Sequence, residues 1–371
     1  MKINNSTGLS IAFLENSSVK SIEVLPIRIS LASATPFSKS GSAIYLRKRN
    51  NPFEFRALFG PDSSCHFIIK ENRFIAKGSW SGIEYSCELQ LSGISSSWQW
   101  SIEIINTSEN PENLDLIYVQ DIGMKPSGDG TVNEYYVSQY LERLVLCHTT
   151  FGQVVCCRQN TRESVGNPWI MLFCKNGASS ASTDGMQILG KTFRETGIPE
   201  LLLSDSPGGE YSGESSIVAL QEKPFTLKAG KNHKTTFIAA YLPDHPEATT
   251  DADLNRIPEL IREFSDEDIL QNTDKLLPAD KNIFNTSGFL PVEDLDDEEI
   301  ERLFSKEKRH CEYENGKLLS FFYGQNMYVM LREKEILSDR PHGHIMQAQA
   351  GFEADENILS TTSYAFGVFN S

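Results

Sequence analysis

Two stretches decide the fold: Tyr85-Ser-Cys-Glu-Leu-Gln-Leu91 and Trp98-Gln-Trp-Ser-Ile-Glu-Ile-Ile105. Both are short runs of alternating apolar and polar residues, the period of an extended chain with one face buried. The same texture continues outward from them. Ile22–Leu31, Phe67–Lys70 and Leu114–Val119 are alternating or apolar runs, each bounded by Gly, Ser, Asn or Pro turns. Their intervals lie near the roughly 8–12 residues typical of β-sandwiches. Later runs at Gln153–Arg158, Ile170–Cys174, Ser216–Gln221 and Thr235–Leu242 carry the pattern to residue 245, with no internal repeat of solenoid type. The expected fold is mainly β: a large antiparallel β-sandwich, then short linker helices and the start of a second β-rich unit.

Pro243-Asp-His-Pro-Glu-Ala-Thr-Thr-Asp-Ala-Asp253 marks the first boundary. Beyond it Leu254, Ile257, Leu260, Ile261 and Phe264 recur at spacings of three and four, the period of a helix with one apolar face. Pro258 suits a first helical turn, where its missing N–H costs no hydrogen bond, so a short turn is expected before it and a helix after it. Ser265 with Asp268 resembles a capping box opening Glu267–Asn272. A third segment starts near Lys281. There Asp296 as N-cap pairs with Glu299, Leu295 and Ile300 occupy hydrophobic-staple positions, and the acids complement the positive helix end. Capping accounts for this acidic cluster without metal or catalytic chemistry. Strand signals return at Leu318–Tyr323, Met327–Arg332 and Tyr364–Phe369. The expected domains are 1–245, an N-terminal sandwich; 246–280, a helical linker; and 281–371, a capped helix plus a partial β-rich unit. Because its last strand signal runs to Ser371 without a cap or tail, that unit is expected to be truncated.

Composition narrows the partners. The 371 residues suit two or three units at roughly 150 residues each, and 39% hydrophobic residues suffice for a core. Acids outnumber bases 50 to 34, a formal charge of −16. Nucleic-acid binding draws on Lys and Arg neutralising phosphates, and an anionic membrane would repel this surface, so neither is an expected partner. A neutral polymer such as a glycan is unpenalised. The seven cysteines are odd in number and irregularly spaced, unlike a secreted disulfide framework. No apolar run resembles a signal peptide or membrane span, so a reducing cytoplasm fits best.

No complete catalytic constellation appears. His342-Gly-His344 has the spacing of two ligands on one strand face, but zinc needs further ligands that the sequence does not supply, so neither metal nor cofactor is expected. Cys147-His148 and Cys156-Cys157 lack a specified base and orienting group, and buried inert thiols are the simpler reading. Trp98 and Trp100 share a strand face and Trp80 and Trp169 stand near turns; such rings either stack on sugars or line a core, and paired strand tryptophans favour the core.

Several longer segments carry a resemblance. They are Asn113–Gly123, Asn133–Tyr140, Phe151–Asn160, Gly166–Trp169, Tyr241–Leu254, Leu318–Phe322, Arg340–Ile345 and Thr361–Ser371. Together, in this order, they resemble the N-terminal region of the β-1,2-oligoglucan phosphorylases of glycoside hydrolase family 94, with the C-terminal region of cyclic β-1,2-glucan synthases as a relative. The resemblance implies β-sandwich material and linker helices ahead of an (α/α)6 catalytic barrel. In that barrel an acidic residue protonates the leaving oxygen while inorganic phosphate attacks with inversion, giving a shorter glucan and α-glucose 1-phosphate. The matched segments all lie outside the barrel, so no catalytic residue is carried over and the chain is expected to be inactive alone. The implied partners are a β-glucan oligosaccharide and inorganic phosphate in the full-length enzyme, the catalytic barrel and a possible homodimer. Arg340, His342 and His344, a compact basic cluster, and Trp169 are the candidate substrate-binding or interface residues. The alternative reading is a stand-alone glycan-binding module.

Overall fold

A computed structural model describes residues 1–34, 40–70, 72–126, 134–191, 193–211, 215–264, 274–279, 297–305, 307–314, 316–323 and 327–330. The chain divides into two compact units, Met1–Lys281 and Asn282–Ser371. In chain order the first unit opens with β1 (Lys2–Asn4), β2 (Leu9–Phe13), β3 (Val19–Val24), β4 (Ile27–Arg28), β5 (Ser42–Lys48), β6 (Glu54–Ala57) and β7 (His66–Lys70). It continues with β8 (Arg73–Trp80), β9 (Ile83–Leu91), β10 (Ser97–Asn106), β11 (Glu112–Asp121), β12 (Lys125–Pro126) and β13 (Leu141–His148). Then come β14 (Gly152–Gln159), β15 (Trp169–Cys174), β16 (Ala178–Ser182), β17 (Ile217–Glu222), β18 (Phe225–Leu227), β19 (Asn232–Leu242) and β20 (Leu277–Pro278).

Strands β1-β2-β3-β4-β12 form a five-stranded sheet. The others form a 15-stranded sheet in the order β20-β7-β8-β9-β10-β19-β15-β14-β16-β17-β11-β5-β6, with β13 beside β14 and β18 beside β11. The protein is mainly β, as its alternating runs imply, but the large sheet is mixed and not purely antiparallel. Its parallel contact is the Gly152↔Ala178 pairing of β14 with β16. A glycine is required there: φ is +66°, and a Cβ would run into the Ala178 carbonyl. The run Ile22–Leu31 is also corrected. It folds as a hairpin, with Glu23↔Arg28 and Val24↔Ile27 in register, because Pro26 has no N–H for a ladder and takes the turn.

The long sheet doubles back on itself. Phe74, Leu89, Trp98 and Trp100 of β8–β10 share one core with Ile44, Leu46, Leu116, Tyr118 and Leu220 of β5, β11 and β17. Ile3, Leu9 and Phe13 of the small sheet join the same cluster. Phe13 stacks on Phe74 at 4.5 Å between ring centroids, and Phe59 stacks on Trp100 at 4.6 Å. Trp98 and Trp100 therefore line the core, and each such buried ring stabilises the sandwich by roughly 1.5–3 kcal/mol.

The outer faces differ along the sheet. On β9 the outward side chains are polar: Glu84, Ser86, Glu88 and Gln90 alternate with the buried Tyr85, Cys87 and Leu89. On β15 every residue is buried, with Ile170, Leu172 and Cys174 facing the main core and Trp169, Met171 and Phe173 facing outward into a second one. That second core is closed by a short 3-10 turn, Asp251–Arg256, and the helix Ile257–Arg262. Leu254, Ile257 and Leu260 are buried in it, and Ile261 and Phe264 pack against it. The spacing of three and four thus names the residues that cover β14, β15 and β19, and Pro258 sits at the helix start as its chemistry requires. A third core lies outside β5, β11 and β17, where Tyr45, Ile117, Val119 and Ala219 are covered by Ile188, Leu201 and Leu202. No helix among the described residues is long and apolar enough to cross a membrane.

The second unit contains the helix Asp297–Leu303 and an antiparallel sheet of β21 (Lys308–Glu314), β22 (Lys317–Tyr323) and β23 (Met327–Met330). Phe304 and Phe321 form its buried centre, their rings edge-on at 4.9 Å. The helix lies where the acidic run placed it. The cap residues Leu295 and Asp296, the Ser265–Asp268 box and the run Tyr364–Phe369 lie outside the described residues.

Candidate functional site

Three of the segments that carry the family resemblance meet at one end of the second core. Tyr241–Leu254 supplies Asp244, His245, Thr249 and Asp253; Gly166–Trp169 supplies Asn167 and Trp169; Phe151–Asn160 supplies Arg158. His245 is buried at the centre of this knot. Its ring stacks on Trp169 at 4.9 Å with an 11° interplanar angle, Nδ1 lies 2.8 Å from the Glu247 carbonyl oxygen, and Nε2 lies 2.8 Å from Asp253 Oδ1. The main chain on either side is gripped as well. Arg158 Nε donates to the His245 carbonyl at 2.8 Å, Arg158 Nη2 donates to that of Pro246 at 2.8 Å, and Trp169 Nε1 donates to Thr249 Oγ1 at 3.1 Å. Gly166, at φ +126°, has no Cβ and so leaves room for the Asp244 side chain, whose Oδ1 accepts the Asn167 N–H at 2.9 Å.

Burial alone would raise the pKa of Asp253. The Thr250 N–H, the His245 ring and Arg256 outweigh it, and the net displacement is downward, so the carboxylate is held ionised. A His–Asp pair can hold or pass a proton in principle. Here one ring nitrogen is committed to a main-chain carbonyl, and the two side chains are 9% and 10% exposed, so the chemistry available is electrostatic fastening. Among the described residues no group of three His, Cys, Asp or Glu is placed to hold a metal ion.

A second charged cluster sits under the cover of the third core. Asp115 is fully buried and accepts from Arg47 Nε at 3.0 Å, Arg47 Nη2 at 2.8 Å, Arg49 Nη1 at 2.7 Å and Gln221 Nε2 at 2.8 Å. Arg47, also fully buried, turns Nη1 to the carbonyls of Leu201, Leu202 and Ser204. These belong to the C-terminal end of the 3-10 turn Glu200–Leu203, where carbonyls lack partners and a cation is favoured.

Residues 12–239 match the SOGP N-terminal domain, well over half of the chain. The chain belongs to this family. Residues 305–371 match the glycoside phosphorylase supersandwich domain. A 1,2-beta-oligoglucan phosphorylase of Listeria innocua is 26% identical over 367 residues, which are 98% of this chain and 32% of that protein. The chain therefore spans about a third of the length of its curated relative and corresponds to an N-terminal region of it. Solved structures with similar geometry include a polysaccharide lyase (TM-score 0.40, 9% identity, 64% of this chain and 33% of that one). A bacterial glucoamylase complexed with acarbose (0.40, 8%, 70% and 35%) and a galactose mutarotase-like protein from Lactobacillus casei (0.34, 9%, 65% and 99%) are others.

Within this SOGP N-terminal domain, Trp169 is the one sequence candidate among the described residues; it is fully buried and joins the knot just described. Arg340, His342 and His344 lie outside the described residues. The knot's own centre, His245 with Asp253, carries no recognisable motif, and residues 243–253 read as a boundary in the sequence. The available signal was Asp253 three residues after Thr250, a helix-capping spacing; its carboxylate does accept the Thr250 N–H at 3.0 Å. All seven cysteines are free. Burial pushes the Cys157 and Cys174 thiols up to about 12 and holds Cys156 and Cys87 well above their usual range, which suits inert packing residues; Cys147 is exposed.

Proposed function

We propose that this chain is the non-catalytic N-terminal part of an inverting β-1,2-glucan phosphorylase of glycoside hydrolase family 94. In the complete cytoplasmic enzyme a glucan and inorganic phosphate would react to give a shorter glucan and α-glucose 1-phosphate. The observation that carries this reading is the relative's match, continuous over 98% of this chain yet confined to 32% of a 1,2-beta-oligoglucan phosphorylase. On this reading residues 1–245 are the sandwich, 246–280 the linker and 281–371 part of the next β-rich unit. The role is assembly: holding a catalytic barrel or a second subunit, or shaping the substrate groove. Both buried charge clusters support scaffolding, since in each a side chain held by its partners fixes main-chain carbonyls in place: Arg47 those of Leu201 and Leu202, His245 that of Glu247. Arg340, His342 and His344 are assigned to the groove or a domain interface, with Arg340→Ala in the full-length enzyme expected to impair assembly or phosphorolysis.

The competing reading, a stand-alone glycan-binding module, needs accessible aromatic faces. Trp98, Trp100 and Trp169 are buried, and the half-buried Trp80 packs against the core with Lys48 over its ring, which weighs against it. Calorimetry and a phosphorolysis assay with β-1,2-linked oligoglucans separate the cases. The chain alone is expected to give neither binding heat nor glucose 1-phosphate. Binding heat alone would favour the module, and release of glucose 1-phosphate would overturn the non-catalytic assignment.

A further inference from the structure

Residues 249–264 are fastened over the second core at both ends. At the far end Glu263 accepts hydrogen bonds from the Ser95 hydroxyl and, at 2.6 Å, from the Ser97 hydroxyl. At the near end the fastening passes through the His245 ring. A carbonyl oxygen and an ionised carboxylate are both acceptors only, and the ring places one nitrogen 2.8 Å from each, at Glu247 and Asp253. An imidazolium, with two N–H groups, satisfies both contacts. A neutral imidazole has one N–H, so in either tautomer it leaves a lone pair facing an acceptor oxygen inside a buried site.

The other charged groups around the ring do not supply that second donor. Arg256 lies over Trp169, 5.9 Å from the ring centroid, and reaches Asp253 at 3.6 Å; Arg158 is engaged with the carbonyls of His245 and Pro246. Asp244 is turned to the Asn167 N–H, and Glu142 of β13 to the Thr249 N–H at 3.4 Å. We infer that residues 249–264 form a strap whose fastening follows the proton count of His245: closed when the ring carries two N–H groups, loosened when it carries one. Loosening would uncover Trp169, Met171, Phe173 and Cys156 without disturbing the main core, because these side chains lie on the opposite face of their strands.

Hydrogen exchange on the whole chain, with rates corrected for intrinsic exchange at each pH, tests this. Between about pH 5.5 and about pH 8.5, protection of the 257–262 helix is expected to fall on the order of tenfold while β9 and β10 stay unchanged. In His245→Gln the pH dependence of the helix disappears. Should that variant fail to fold, Asp253→Asn turns its amide oxygen to the Thr250 N–H and offers its NH2 to Nε2, so that a neutral ring satisfies both contacts. The fall in protection with rising pH is then expected to disappear in that variant too. Protection that is flat across the range in the wild type, or a fall that stays in place in either variant, overturns the inference.

Discussion

The two covered outer faces of the large sheet solve one problem by different means. Over β14, β15 and β19 lies a helical strap, a 3-10 turn running directly into a helix, and apolar contacts from Leu254, Ile257 and Leu260 do the covering. Over β5, β11 and β17 lie the short helices Gly185–Leu189 and Glu200–Leu203, with few internal bonds. Buried carbonyls there need donors, and the sheet provides one in Arg47, neutralised by Asp115. The first cover joins apolar fit to polar fastenings at its ends, His245–Asp253 and Glu263–Ser97; the second is riveted at its centre by a fully buried ion pair.

The contrast can be broken most severely at the rivet. Asp115→Ala would leave the Arg47 guanidinium buried without a counter-charge, a loss of about 3–5 kcal/mol. Urea denaturation of this variant measures it, and a shift below about 1 kcal/mol would mean that the charge cluster is not what holds the cover. Next in size, Ile257→Ala removes the strap's fully buried side chain and is expected to cost about 3 kcal/mol, within the range of isoleucine truncations. If the strap is held by fit, that variant also makes Cys156 react with a thiol reagent under native conditions, whereas the wild type is modified at the exposed Cys147; labelling mapped by mass spectrometry decides. The smallest effect is in acid. Asp253 has its folded-state pKa lowered, so its contribution to stability is full above its unfolded value, near about pH 4, and is lost as pH falls through the lower folded value. Below about pH 4 the wild type should therefore lose its stability advantage over Asp253→Asn, measured as the gap between urea midpoints. A gap that stays constant with pH would show that the Asp253 charge contributes nothing.

The same contrast explains what the sequence could say. The strap was legible because Leu254, Ile257, Leu260, Ile261 and Phe264 repeat at the helical period. The strands β9, β10, β11, β15 and β19 were legible because their apolar residues alternate or run together. Strand β5 was not, although it lies inside the sheet: Ser-Ala-Ile-Tyr-Leu-Arg-Lys ends in two cations, and only pairing with Asp115 and Glu112 lets Arg47 and Lys48 be buried. The His245 knot was hidden for a related reason. Its partners come from segments far apart in the chain, and Pro243 and Pro246 made the same residues look like a boundary.

The order of strands in the large sheet has a consequence for how the protein is made. Strands β7 to β10 are consecutive and can zip together as they leave the ribosome. The next partner of β10 is β19, paired along Trp98↔Ala239 and Trp100↔Phe237, and it is synthesised only after β11 to β18. Until then the growing chain carries an open edge beside Trp98 and Trp100, two of its largest core side chains. The nascent chain is thus most exposed to misassembly before Leu242 emerges, and a chaperone acting in that interval would have most to gain.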